Sequence, residues 1–325
     1  MERWRARRLD EIIKEDLFTI DLLACAAAAD VIRDFRSTRV ENDASKYPLS
    51  ALVTFKVALV AICHQINWEF LESRLRPNLL SHADTDLASQ LASIEPGQVA
   101  AWLGSYHRPE RIRALERSLL LRDVGNELGR LGHRNALPLL TASQGQIEGP
   151  TGFLKQLDVF RAYREDPLKK KSYALIQELV RNHLAVFNDD RHIQPAIDYH
   201  VMRVYLRTGR VVPRFREVAA ILSEGRRPRP RLVKVLREAV AEAMRTTSFY
   251  AGLSVPEVNY IEWQIGRSVC ATGKPLCLDS RRKITIDPDI RALGTSRCPY
   301  SVFCAAFRED KWRQLQEPKF ISRFY

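Results

Sequence analysis

The chain has 325 residues, enough for one large domain or two ordinary ones with real cores. With 46% hydrophobic and 28% charged residues, and only 14 glycines and 16 prolines, it is no disordered, low-complexity or collagen-like body. Its 51 Lys and Arg against 39 Asp and Glu give a net charge of +12 and a pI near 9.6. That excess favours polyanionic partners, because neutralised phosphates release condensed counterions, with an anionic membrane surface as the rival explanation.

Taken in chain order, "MERWRARRLDEIIKEDLF" is charged throughout and lacks the apolar core of a secretory signal. No segment reaches the ~18 to 20 unbroken apolar residues of a membrane helix. These features predict a cytoplasmic protein, or a nuclear one in a eukaryotic host, with no membrane partner. Helical periodicity then dominates. Phe18 to Phe35, Ala51 to Ile66, and the stretch "RPERIRALERSLLLRDVGNEL" each suit a buried or amphipathic helix. So do "KKKSYALIQELVRNHLAVF" and "RLVKVLREAVAEAMRTTSF". Strand-like alternation is scarce, its best instance being "KITID" from Lys283 to Asp287. The fold class read from this is all-α. "TASQGQIEGPTGF" is the clearest mid-chain loop, and "SEGRRPRPR" is a basic connector, either solvated or in contact with phosphate.

Four of the six cysteines fall near the end of the chain, spaced C-x6-C-x20-C-x5-C as Cys270, Cys277, Cys298 and Cys304. They sit among Arg, Lys, Pro and Gly, unlike the isolated Cys25 and Cys63 in apolar surroundings. Four thiolates can serve a tetrahedral zinc or the four irons of a cubane cluster. The wide gaps suit the larger metal core, so a [4Fe-4S] cluster is expected, with zinc as the alternative.

"YIEWQIGRSVCATGKPLC" resembles the approach to the cluster in the endonuclease III-like branch of the helix-hairpin-helix-GPD DNA glycosylases. That branch runs C-x6-C-x2-C-x5-C, so the first and last gaps match. A long insertion replaces the middle one. "AIDYHVMRVYLRTG" is similar to the family's V-D-T-H-V-x-R-V at Ile197, Asp198, His200, Val201, Arg203 and Val204. The resemblance implies that Asp198 is the catalytic carboxylate. It would stabilise the oxocarbenium character of the sugar and activate the attacking nucleophile. An Asp heading a helix also serves as an N-cap.

Bifunctional members add a lysine nucleophile from a hairpin L-P-G-V-G-x-K-T-A. Here the hairpin glycines are missing, and "DPLKKKS" aligns Lys171 with that lysine. AP-lyase activity through Lys171 is expected on this basis. Lys169 and Lys170, with Arg203, Arg267, Lys274, Arg281 and Arg282, become candidate phosphate contacts. Gln65, Asn67 and Trp68, after the early helix, become candidates for the base pocket and for filling the gap left by the flipped base.

The resemblance implies a two-lobed fold. A helical barrel with a divergent hairpin would span 50–197. The second lobe would join 1–49 to 198–325 and carry the cluster within 265–310. It implies a monomeric, nucleoid-associated enzyme acting on double-stranded DNA that contains a damaged or modified base. The base is left open among oxidised, alkylated, deaminated and phage-type hypermodified forms. Two other functions compete: an N-glycosidase of free modified nucleotides like those of queuosine salvage, and a non-catalytic DNA-binding scaffold.

Overall fold

The computed structural model describes residues 11–14, 16–36, 46–81, 86–166, 168–272, 274–279, 281, 284, 286–294 and 297–318. The chain is mostly helical and divides into two units. One takes Met1–Thr38 and Ile197–Ser322, and the other centres on Arg39–Ala196.

The first unit opens with an antiparallel hairpin of β1 (Glu11–Lys14) and β2 (Phe18–Asp21), with Glu11 opposite Asp21. Asp21 then caps α1 (Leu22–Ile32), accepting the Ala24 N–H at 2.9 Å. The single helix expected from Phe18 is therefore split. Phe18 and Ile20 are buried while Thr19 and Asp21 are only partly so, a period-two pattern that a strand accommodates.

In the second unit, α2 (Leu49–Ile62) has every residue from Ala51 to Ile62 buried, Lys56 included. A helix apolar on all faces belongs at the centre of a bundle. Around it come α3 (Trp68–Leu80), α4 (Leu87–Ala92), α5 (Pro96–Leu103), α6 (Ala114–Arg130) and α7 (Leu137–Ala142). The short α8 (Phe153–Leu157) and α9 (Arg161–Arg164) lead into α10 (Lys170–Arg181). Lys56 is held by Glu72 at 2.8 Å and Glu178 at 3.1 Å, so one buried ion network joins α2, α3 and α10. The loop predicted at 141–153 is fastened by Asp189, whose carboxylate accepts the N–H groups of Ile147 and Glu148.

The chain returns to the first unit with α11 (Tyr199–Thr208) and β3 (Val211–Pro213). β3 pairs with β2, Ile20 opposite Val211, so the order is β1-β2-β3. The all-α expectation missed this small sheet. Next come α12 (Arg216–Ser223), α13 (Pro230–Ala251) and α14 (Val255–Ser268). Gly266 lets α14 cross close to the start of α11. A Cβ there would lie 2.7 Å from the His200 carbonyl oxygen. The described residues of "KITID" are not a strand; Asp287 instead caps a short helix, Pro288–Arg291.

Candidate functional site

Asp198 is extended (φ −110°, ψ −177°) and 6% exposed at the head of α11. Its Oδ1 accepts the Val201 N–H at 2.9 Å; its second oxygen takes no part in that cap. Burial pushes the neighbouring His200 down to about 4, opposed by Asp198 and aided by Arg203, so the ring is neutral near pH 7. Arg203 Nη2 lies 3.0 Å from His200 Nδ1, which must then be the acceptor.

The arginines of α11 point inward. Arg203 is 1% exposed and donates to the Cys270 carbonyl at 2.5 Å and the Gly266 carbonyl at 2.9 Å, while pairing with Glu317 at 2.6 Å. This corrects its assignment as a phosphate contact: a guanidinium spent on buried carbonyls is not offered to DNA. Arg207, one turn on, donates to Ala271 O at 2.6 Å and Leu315 O at 3.0 Å, and reaches the Cys270 sulfur at 3.5 Å. Arg210 forms a bidentate pair with Glu262 at 2.6 and 2.9 Å, both fully buried. Tyr300, between Cys298 and Cys304, donates its hydroxyl to the same Glu262 at 2.8 Å.

Cys270, Cys277, Cys298 and Cys304 line one small pocket, partly open to solvent. Among the described residues, no three His, Cys, Asp or Glu side chains close on a single ion. Burial, and after it the neighbouring cysteines, pushes the Cys277 thiol up to about 11 and the Cys298 thiol well above its usual range. Arg207 supplies positive charge at the wall of this cavity. The insertion that widens the middle gap includes the Pro288–Arg291 helix, and a short turn at Leu276–Leu278 leads into it through Cys277.

In the other unit, the sequence without hairpin glycines still makes a tight turn between α9 and α10. Asp166, fully buried, organises it: its carboxylate accepts the N–H groups of Leu168 at 3.3 Å and Lys171 at 2.8 Å. Lys169 takes the left-handed conformation (φ +51°). That position is two residues before Lys171, and a non-glycine residue in this conformation carries strain of about 1–2 kcal/mol. Lys171 is 1% exposed and donates its amine to the Ala61 carbonyl at 2.6 Å. Burial, with the charges of Lys170 and Arg117 behind it, lowers the Lys171 ammonium to about 8 against opposing effects from Cys63 and Asp166.

The other candidates are scattered. Lys169 is paired with Asp158, and Lys170 is half-buried at the first position of α10. Arg267 stacks over Trp263 at 4.6 Å, while Lys274 and Arg281 are exposed. Arg282 lies outside the described residues. Gln65 is left-handed (φ +57°) with Arg111 3.5 Å from its Oε1. Asn67 caps α3, accepting the Phe70 N–H at 2.8 Å, and Trp68 is half-buried with its indole N–H on Glu72 at 2.9 Å. In the basic connector, Arg226, Arg227 and Arg229 are exposed, and Arg226 pairs with Glu224 at 2.7 Å.

Three groups escaped the sequence reading. Arg117, the Lys56–Glu72–Glu178 network and the Arg210–Glu262 pair are all charges inside apolar surroundings. Lys56 alone carried a usable signal, as one lysine in an otherwise apolar helix. Comparison with protein-family models and with curated proteins finds no match.

Proposed function

We propose that this chain is a DNA N-glycosylase of the helix-hairpin-helix kind. It would extrude a damaged or modified base from duplex DNA and cleave its glycosidic bond. The observation that carries the reading is that two motifs far apart in sequence meet in one unit. The helix headed by Asp198 is tied, through Arg203 and Arg207, to the first cysteine of a cavity lined by all four.

Asp198 presents one oxygen to its helix and keeps the other for chemistry. As the base departs, positive charge grows on the deoxyribose, and a fixed carboxylate stabilises it. The base leaves with the electron pair of the bond and takes up a proton. Asp198 accepts the proton shed by the attacking water or amine. In the lyase branch, the lone pair of the Lys171 amine forms the bond to C1′, and ring opening yields an imine. A free amine is required, and a buried lysine that loses its proton near pH 8 supplies one.

Cys270, Cys277, Cys298 and Cys304 would hold a [4Fe-4S] cluster. The donor chemistry fits: four thiols line one pocket, and thiolates are the ligands such a cluster takes. When bound, the cluster supplies cross-linking of the tail. Arg207 then offsets its negative charge, and the exposed Lys274 and Arg281 of the same tail would meet phosphate. The test is base release from duplexes bearing modified bases, with and without alkali; a panel on which wild-type protein releases nothing contradicts the reading.

A further inference from the structure

Ala61, Ile62 and His64 present three carbonyl oxygens at the C-terminal end of α2, and two buried basic side chains share them. Lys171 takes Ala61 O at 2.6 Å. Arg117 takes Ile62 O, and His64 O at 2.8 Å. Arg117 comes from α6 and is fully buried; it also donates to Ile112 O at 2.7 Å and Arg111 O at 3.1 Å. No catalytic role described above uses it.

We propose that Arg117 is a positioning residue for Lys171. By filling part of the carbonyl end of α2 with a permanent positive charge, it weakens the neighbouring amine's hold on its proton and so raises the share of free, nucleophilic amine near neutral pH. This rests on the lyase reading above.

The physical argument is a competition for one helix terminus. The last carbonyls of a helix carry partial negative charge and would stabilise an ammonium placed among them. A guanidinium, which does not lose its proton in proteins, satisfies the carbonyls of Ile62 and His64. A second cation then meets repulsion in a place with little water to screen it. The groups facing Lys171 pull both ways. Asp166 from its own turn and Cys63 from the end of α2 favour the ammonium, whereas Lys170 and Arg117 oppose it. His64, buried and pushed down to about 2 by burial and by Arg117, is neutral and adds no further positive charge. The Tyr163 hydroxyl, raised well above its usual range by burial, stays protonated while donating to Val57 O at 2.7 Å. Of the opposing charges, Arg117 is the one wholly buried.

The test needs no DNA. Reductive methylation by formaldehyde and cyanoborohydride, resolved at Lys171 by mass spectrometry, reads the free amine as a function of pH. Wild-type protein is expected to show a midpoint near 8. Arg117→Gln keeps donors for the carbonyls but removes the charge. Its midpoint should rise by about one unit, leaving roughly tenfold less free amine at neutral pH. Arg117→Lys restores the charge and should restore the midpoint. An unchanged midpoint in Arg117→Gln, or a shift in Arg117→Lys as large as in Arg117→Gln, overturns the proposal. Should Arg117→Gln fail to fold, a wild-type Lys171 titrating in the ordinary lysine range overturns it equally. Borohydride trapping on a duplex with an abasic site is read separately, so its failure counts against the lyase reading and leaves the midpoints to judge Arg117.

Discussion

Asp198 Oδ1 accepts the backbone N–H of Val201 at 2.9 Å, so the proposed catalytic carboxylate is also a helix cap. The two duties separate by substitution. Asparagine caps as well as aspartate, so Asp198→Asn should unfold in urea within about 0.5 kcal/mol of wild type. Asp198→Ala loses the cap and should lose about 1 kcal/mol. Equal stability of Ala and Asn variants would show that the cap contributes nothing.

The Arg210–Glu262 pair lies wholly inside the unit that holds the cysteines, and Tyr300 shares it. Removing one member strands a buried charge. Arg210→Met should therefore destabilise by about 3–5 kcal/mol in denaturant titration. Arg210→Met combined with Glu262→Gln should recover part of the loss, because no charge is then left unpaired. A single variant within about 1 kcal/mol of wild type would contradict the paired geometry.

Lys171 links stability to pH. Its folded value, about 8, lies below the usual 10.5. Below pH 8 both folded and unfolded chains hold the proton, and the fold bears the full burial penalty. Between about 8 and 10.5 the unfolded chain binds more protons, so stability rises with pH. Relative to Lys171→Met, which lacks this titration, wild type should gain about 3 kcal/mol across that window. Urea midpoints at several pH values would show it; parallel curves for the two proteins would contradict it.

Each of the four tail cysteines is expected to be needed for one cluster. Freshly purified protein should contain about four irons and four sulfides and absorb broadly near ~400 nm. A Cys→Ser change at 270, 277, 298 or 304 should abolish or weaken that band, while Cys25→Ser and Cys63→Ser leave it. Zinc in place of iron, with no visible band, would favour the tetrahedral alternative.

Much of the helical body could be read in the sequence because single elements carry their own signal. α2 is an apolar run interrupted only by Ser50, Thr54 and Lys56, and α13 keeps its period from Pro230 to Ala251. The strand Phe18–Asp21 could not be read this way, since it is only four residues long and one of its two partners, β3, arrives almost two hundred residues later. The arginines of α11 misled for a different reason. Sequence shows a charge but not the carbonyl oxygens it will meet, and Arg203 and Arg207 turn toward the Cys270 segment instead of outward. The turn before Lys171 was hidden by chemistry: Lys169 adopts the backbone conformation that glycine usually supplies, and Asp166 holds it there. Spacing made the four cysteines legible, and they line a shared cavity.

Base release by Asp198→Asn tests the account most directly. Duplexes carrying oxidised, alkylated, deaminated and hypermodified bases would be incubated with wild-type and variant protein, and the freed base would be quantified. Wild type should release at least one of these bases. Asp198→Asn, folded and capped as before, should release it about a hundredfold more slowly or not at all. Release at the wild-type rate by the variant would contradict the claim that this carboxylate acts on the sugar.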